Sequence, residues 1–305
     1  VVWKTRGAKA LKSYLKGNND AKWLGIGISI MATQASAITF LSTPGQAYSD
    51  GMRFIQFYFG LPIAMIILSI TFLPIFYRLK VYTAYEYLET RFDLKTRTLA
   101  AFLFLVQRGL AAGITIYAPA IILSTLLNWN LTWTNIFIGF LVIIYTVSGG
   151  TKAVTQTQKQ QMAVMMGGMV LAGFLVINML PENISFIDAL HVAGKMEKLN
   201  LVNFDFSLDD RYNFWTGTTA ALFLFLSYFG TDQSQVQRYL SGKSLSQSRL
   251  GLMMNGLLKI PMQFIILFIG VMVFVFYQFN TPPVFFNKVE LNNVKNSAYS
   301  ERIYD

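Results

Sequence analysis

Seven stretches of this chain are apolar for long enough to cross a bilayer, and that restricts the fold before any motif is read. A helix spanning the hydrocarbon core needs about 20 apolar residues. The candidates cover residues 24–41, 54–76, 99–127, 133–147, 151–180, 214–239 and 252–279. In lipid every backbone N–H and C=O must be satisfied within the element, so such runs are read as helices of an all-α integral membrane protein. Charged residues make up 13% of the chain, against about 25% in soluble domains. The net charge of +10 does not point to nucleic acid, because the basic residues cluster at the ends of the apolar runs. With no cysteine, disulfides, thiolate metal sites and cysteine nucleophiles are excluded.

The connections set a direction. Sixteen of the 25 Lys and Arg lie in residues 4–22, 78–98, 148–161 and 238–249, against seven in the alternate connections. Basic connections stay on the cytoplasmic side, so the first set is expected inside and residues 281–305 are expected as an extracytoplasmic loop. The chain opens VVWKTRG without Met and closes on a polar stretch. A fragment of a longer chain is expected.

Two spans are interrupted. The first reads WLGIGISIMATQASAITFLSTPGQAYSDG, broken by Thr33, Gln34, Ser36 and Thr39 and ending at Ser42–Gly45. The sixth reads WTGTTAALFLFLSYFGTDQSQVQRYL, interrupted at Ser227–Gly230 and continued by a polar helix. Short, broken spans in corresponding positions mark a transporter's binding site, because the freed backbone groups must line a watery cavity. A kink satisfied by neighbouring helices is the alternative.

Two cations lie within apolar runs, Arg108 and Lys259. An intramembrane charge usually faces the protein interior. A guanidinium at Arg108 is placed to clamp a carboxylate in two-pronged fashion, or to hold backbone carbonyls. Lys259, just before Ile260-Pro261, has the same two readings. Both charges are positive, which suits a small organic anion better than a cation. His191 and the sequon at Asn183 fall in an expected outer loop and carry little weight. The chain has no nucleotide loop, no HExxH motif and no acid–base constellation within the spans, so it is not read as an enzyme.

The segment SGGTKAVTQTQKQQ, residues 148–161, holds no acid between two apolar runs. Thr151, Thr155, Gln158 and Met162 share one helical stripe, which can line an inner vestibule or be an ordinary solvated helix end. The segment is similar to a signature of the sodium:solute symporter family, GG-x-x-AV-x-x-TD-x-x-Q. GTDQSQVQRYLSGKS resembles the family's second signature through Asp232, Gln233, Gln237 and Arg238. FLPIFYRLKVYTAYEYLETRF is similar to its link after the second core span. The resemblance runs from about Ser13 to Phe279.

That resemblance implies a LeuT-type inverted-repeat transporter bundle with an incomplete second repeat, residues 1–280 supplying core helices one to seven. It implies sodium as coupling ion, held by the backbone carbonyls of Ala32 and Ala35, and no other cofactor. Gln34, Ser36, Thr39, Tyr58 and the surrounding Gln56–Gly60 region, Tyr228 and Lys259 would meet the solute. Thr157, Gln158, Asp232, Gln233 and Arg238 are the signature residues. Phe225 stands where sugar carriers have a polar contact, so a sugar is not favoured, and Tyr117–Ala120 and YEYLETRF look more like the family's organic-anion branch. The sequence departs from the family at Gln158, where the signature has an aspartate. Gly149-Gly150 is read as a turn joining two helices. The expected function is sodium-coupled symport in the plasma or inner membrane. The expected partners are a small-molecule solute, sodium and the lipid bilayer. A proton-coupled or uncoupled carrier and a membrane sensor of the same fold are the alternatives.

Overall fold

The computed structural model describes residues 20–280 apart from Leu208. The basic N-terminal segment and the loop at 281–305 lie outside them, as does the side chain of Thr151. The described residues form helices and the links between them; one isolated bridge pairs Ala21 with Gly242.

The first apolar run folds as two helices. α1 (Trp23–Gln34) stops, Ala35 and Ser36 leave helical geometry, and α2 (Ala37–Asp50) begins. The expected end at Ser42–Gly45 is therefore corrected: α2 runs through Pro44 and ends at Gly51, whose φ is 76°. A mid-helix proline forfeits one N–H and crowds the preceding turn. Pro44 is accommodated because it packs on Gly270, where a Cβ would overlap its carbonyl.

The second run is a 3-10 helix (Gly51–Tyr58), then α3 (Gly60–Ile70) and α4 (Phe72–Leu79), bent at Thr71. A short α5 (Glu86–Arg91) leads into α6 (Leu94–Leu127). Asp93 caps α6, accepting from the Thr96 backbone and hydroxyl, each at 2.7 Å. Those bonds hold its carboxyl below the usual range.

The fourth and fifth runs are one continuous helix, α7 (Leu131–Asn178). This corrects the turn expected at Gly149-Gly150. Glycine costs a helix only about 1 kcal/mol, and the stretch holds no proline to interrupt the ladder. α7 is followed by α8 (Phe186–Lys195), which the sequence reading left within a loop; Ser185 and Asp188 close its start as a capping box. The sixth run is α9 (Phe214–Thr231) and α10 (Gln233–Leu240), broken at Asp232 rather than at Ser227–Gly230. α11 (Leu245–Phe279) completes the described chain.

Packing centres on α11, which runs along α1 and α2. One buried cluster joins α1, α3, α9 and α10 through Ile26, Leu61, Leu68, Phe225, Phe229 and Val236. A second joins α2, α8 and α11 around Ala47, Leu267 and Val271. A methionine-rich third holds α7 against α1 and α11 through Met31, Met162, Met254 and Met262. α3 and α9 cross closely at Gly60, where a Cβ would stand 2.7 Å from the Leu222 nitrogen. Small residues allow such backbone approach in membrane bundles. α6 and the first part of α7 instead present exposed apolar faces, among them Leu110, Trp133 and Phe140. Four helical segments, Thr39–Leu79, Leu94–Leu127, Val154–Asn178 and Leu245–Phe279, are long and apolar enough to cross a membrane. α1, with 12 residues, is too short to cross by itself.

Candidate functional site

The site is built on the two helix breaks. Where α1 stops, its last carbonyls lose their partners four residues on. Ala32 and Ala35 sit in that last turn and at its cap, 8% and 6% exposed. Carbonyl oxygens at a helix end are hard ligands suited to a small cation. The Gln34 carbonyl accepts from Thr39 Oγ1 at 3.3 Å, while the Gln34 side-chain oxygen is buried without a hydrogen bond. Ser36 precedes α2 but its hydroxyl does not cap it. An uncapped helix start carries partial positive charge and favours an anion.

Lys259 of α11 is 1% exposed, and its ammonium has no hydrogen-bond partner. It stands 5.9 Å from the centroid of the Tyr58 ring. The structure thus places Lys259 beside Tyr58. Gln56, four-square in the same region, does other work: its side-chain amide donates to the Tyr212 carbonyl at 3.0 Å, and its oxygen accepts from the Asn203 backbone at 2.9 Å. It ties the 3-10 helix to the segment before α9.

The second break is occupied by an ion pair. Arg108 of α6 binds Asp232, which is 7% exposed. The free carboxylate clamp expected at Arg108 is therefore already closed on a carboxylate of the chain itself. Asp232 also starts α10, accepting from the Ser234 backbone at 2.8 Å and its hydroxyl at 2.7 Å. The Arg108 guanidinium lies 5.7 Å from the Tyr228 ring centroid, and the Tyr228 hydroxyl accepts from Gln235 at 2.7 Å. Aromatic contacts from Tyr58 through Phe225 and Phe229 to Tyr228 connect the two breaks. A cavity of about 840 Å³ opens beside the second break, lined largely by apolar side chains such as Phe72, Phe76, Phe104 and Leu224.

The signature residues divide by role. Gln233 accepts from the Ala84 backbone at 2.9 Å and donates to the Tyr82 carbonyl at 3.4 Å, pinning the link before α5 to α10. Arg238 sits in the last turn of α10, and its carbonyl accepts from Ser241. Thr157 is half-buried on α7. Gln158 uses both ends of its amide on α1: its oxygen accepts from Ser29 Oγ at 2.7 Å, and its nitrogen donates to Thr33 Oγ1 at 2.8 Å. Thr33 passes its own proton to the Ser29 carbonyl at 2.7 Å. A carboxylate accepts only, so an ionised aspartate in this place would lose the bond to Thr33 in its present direction.

The sequence reading passed over two buried amides, Asn255 and Gln263, both 0% exposed. The signal was available: with Lys259 they recur every four residues, one polar stripe on an apolar helix.

A model of the sodium:solute symporter family matches residues 14–299. Sodium-coupled monocarboxylate transporter 1 of Xenopus laevis is 34% identical over 82% of this chain and 40% of its own length. The sodium/iodide cotransporter of Homo sapiens is 32% identical over 89% of this chain and 42% of its own. The chain thus spans about two-fifths of the length of these relatives. A solved structure of a substrate-bound, outward-open Na+-coupled sialic acid symporter superposes with a TM-score of 0.83 at 27% identity, covering 97% of this chain and 62% of that one.

Proposed function

The chain belongs to the sodium:solute symporter family, whose members are transporters and not enzymes, and has its LeuT-type bundle; from that premise we propose that it carries a small organic anion, a monocarboxylate by preference, together with sodium across the cell membrane. The observation that carries the choice of an anion is Lys259, a cation buried beside Tyr58 with no hydrogen-bond partner of its own. A buried charge is costly unless paired, and an arriving carboxylate supplies the pair. The uncapped start of α2 adds donors and positive potential on the same side. The similarity to carriers of monocarboxylates and iodide supports the same reading.

In this reading sodium binds first, at the carbonyls of Ala32 and Ala35. It joins the halves of the site and stabilises the solute-ready state by binding that state better than the alternative. The solute sits between Gln34, Ser36, Thr39, Tyr58 and Lys259. Tyr228 closes its inner side through Phe225 and Phe229. Arg108 and Asp232 hold the second break rather than the solute.

Uptake by the full-length protein tests this. Radiolabelled pyruvate is expected to accumulate with an inward sodium gradient, and not when sodium is replaced by choline. Accumulation that ignores sodium but follows a proton gradient would establish the proton-coupled carrier instead. Gln158 makes that comparison worth a variant. Gln158→Asp is expected to lower the sodium half-saturation concentration severalfold, because a hard anionic oxygen replaces a dipole. An unchanged sodium dependence would assign Gln158 to holding α7 on α1 alone.

A further inference from the structure

Gln263 lies on the buried face of α11, one turn beyond Lys259, and neither its amide nitrogen nor its oxygen has a hydrogen bond. Lys259 lacks a partner for its ammonium and Asn255, a turn before, lacks one for its oxygen. Buried polar groups are normally paired, and an orphaned amide in a native core calls for a reason. Apolar packing does not supply it, since leucine or methionine would fill the same space without loss.

The height of Gln263 in the bundle follows from contacts on either side of it. Towards the start of α11, a Cβ on Gly27 of α1 would meet the Met254 sulfur at 2.8 Å. Towards its end, Gly270 packs against Pro44 of α2. The broken first helix and α11 run in the same direction at about 1.5 Å per residue. Nine residues lead from Gly27 to Ser36, and nine from Met254 to Gln263. Eight residues lead back from Pro44 to Ser36, and eight back from Gly270 to Met262. The first count sets Gln263, and the second its neighbour Met262, level with the gap between α1 and α2. Lys259 and Gln263 share one face, with Cβ atoms about 6 Å apart. A carboxylate can bridge two donors at that spacing.

We propose that Gln263 is a solute-binding residue, its amide N–H taking one oxygen of the solute carboxylate while the Lys259 ammonium takes the other at the break of helix one. The proposal rests on the anion-symport reading above and names a residue beyond those implied by the family resemblance. It explains why two unsatisfied donors are kept one turn apart on the buried face of α11. It also separates carboxylates from spherical anions: only a two-oxygen ligand uses both donors at once.

The test uses the full-length protein, radiolabelled pyruvate, surface labelling to count molecules, and thermal unfolding of the purified ligand-free protein. Gln263→Met conserves volume and removes both polar ends; Gln263→Asn keeps the amide and shortens its reach. Gln263→Met is expected to raise KM for pyruvate about tenfold. Vmax per surface molecule and the sodium half-saturation should stay within twofold, and the unfolding midpoint should be equal or higher, because an orphaned amide has gone. Gln263→Asn is expected to fall between it and the parent. A KM within twofold of the parent in both variants overturns the proposal. So does a parallel fall of Vmax, abundance and unfolding midpoint in both, which marks a structural amide. A parent protein with no sodium-dependent pyruvate uptake overturns the anion-symport reading itself, and the assignment of Gln263 with it.

Discussion

Replacing Lys259 by methionine is expected to raise the half-saturation concentration for a carboxylate solute about a hundredfold or more, which in a practical assay is loss of saturable uptake. The side chain is 1% exposed and its ammonium is unpaired. Methionine has nearly the same length and volume, so the packing on Tyr58 and its neighbours is kept while the charge is lost. Removing one partner of a desolvated charge pair typically costs 2–5 kcal/mol of binding, about 30-fold to several thousandfold. Stability should move the other way. An uncompensated buried charge opposes folding, so the ligand-free variant is expected to unfold at an equal or higher temperature. Lys259→Arg should not rescue uptake, because a planar fork does not fit where a compact ammonium stood. Uptake kinetics normalised to surface abundance, read beside thermal unfolding, decide the matter. An unchanged KM with a lowered unfolding temperature would make Lys259 a structural cation holding freed carbonyls.

The second large effect belongs to the Arg108–Asp232 pair, and it concerns folding rather than affinity. Asp232 is 7% exposed, whereas the Arg108 side chain is 32% exposed. The two single variants should therefore differ. Arg108→Met strands a carboxylate where water hardly reaches, and a loss of about 2–4 kcal/mol is expected. Asp232→Asn leaves a guanidinium that water still reaches, and its amide oxygen keeps the cap on Ser234, so about 1 kcal/mol is expected. The double variant should recover most of the loss, since no buried charge is left alone. Unfolding of the purified protein and its surface abundance measure all three. Equal losses from both single variants, with no recovery in the double, would show that the pair acts through something other than its charges.

The pair also shows where sequence reading runs out. That Arg108 is an intramembrane charge needing a partner is plain from its neighbours along the chain. That the partner is Asp232, 124 residues away at a helix break, depends on how α6 is laid against α9 and α10. The same holds at Gln158. The missing acid is visible in the signature, but the reason an amide serves there appears only when Ser29 and Thr33 face it with one donor and one acceptor. The breaks themselves were legible to within a few residues, because a run of Thr, Gln and Ser weakens a helix locally. Their exact residues were not, since Pro44 is tolerated only by virtue of Gly270 on another helix. Gln263 shows in the sequence only as one member of the four-residue polar stripe with Asn255 and Lys259; its meaning comes from being buried without a partner.

By itself the sequence determined that this is a helical membrane protein with two broken spans and intramembrane cations, since apolar length, helix-breaking residues and unpaired charge are local properties that lipid enforces on any fold. The tertiary structure alone decided which cation is neutralised and which is left open. Pairing depends on distances between helices remote in the chain, and on that pairing rests the choice of Lys259, not Arg108, as the anion's counterpart.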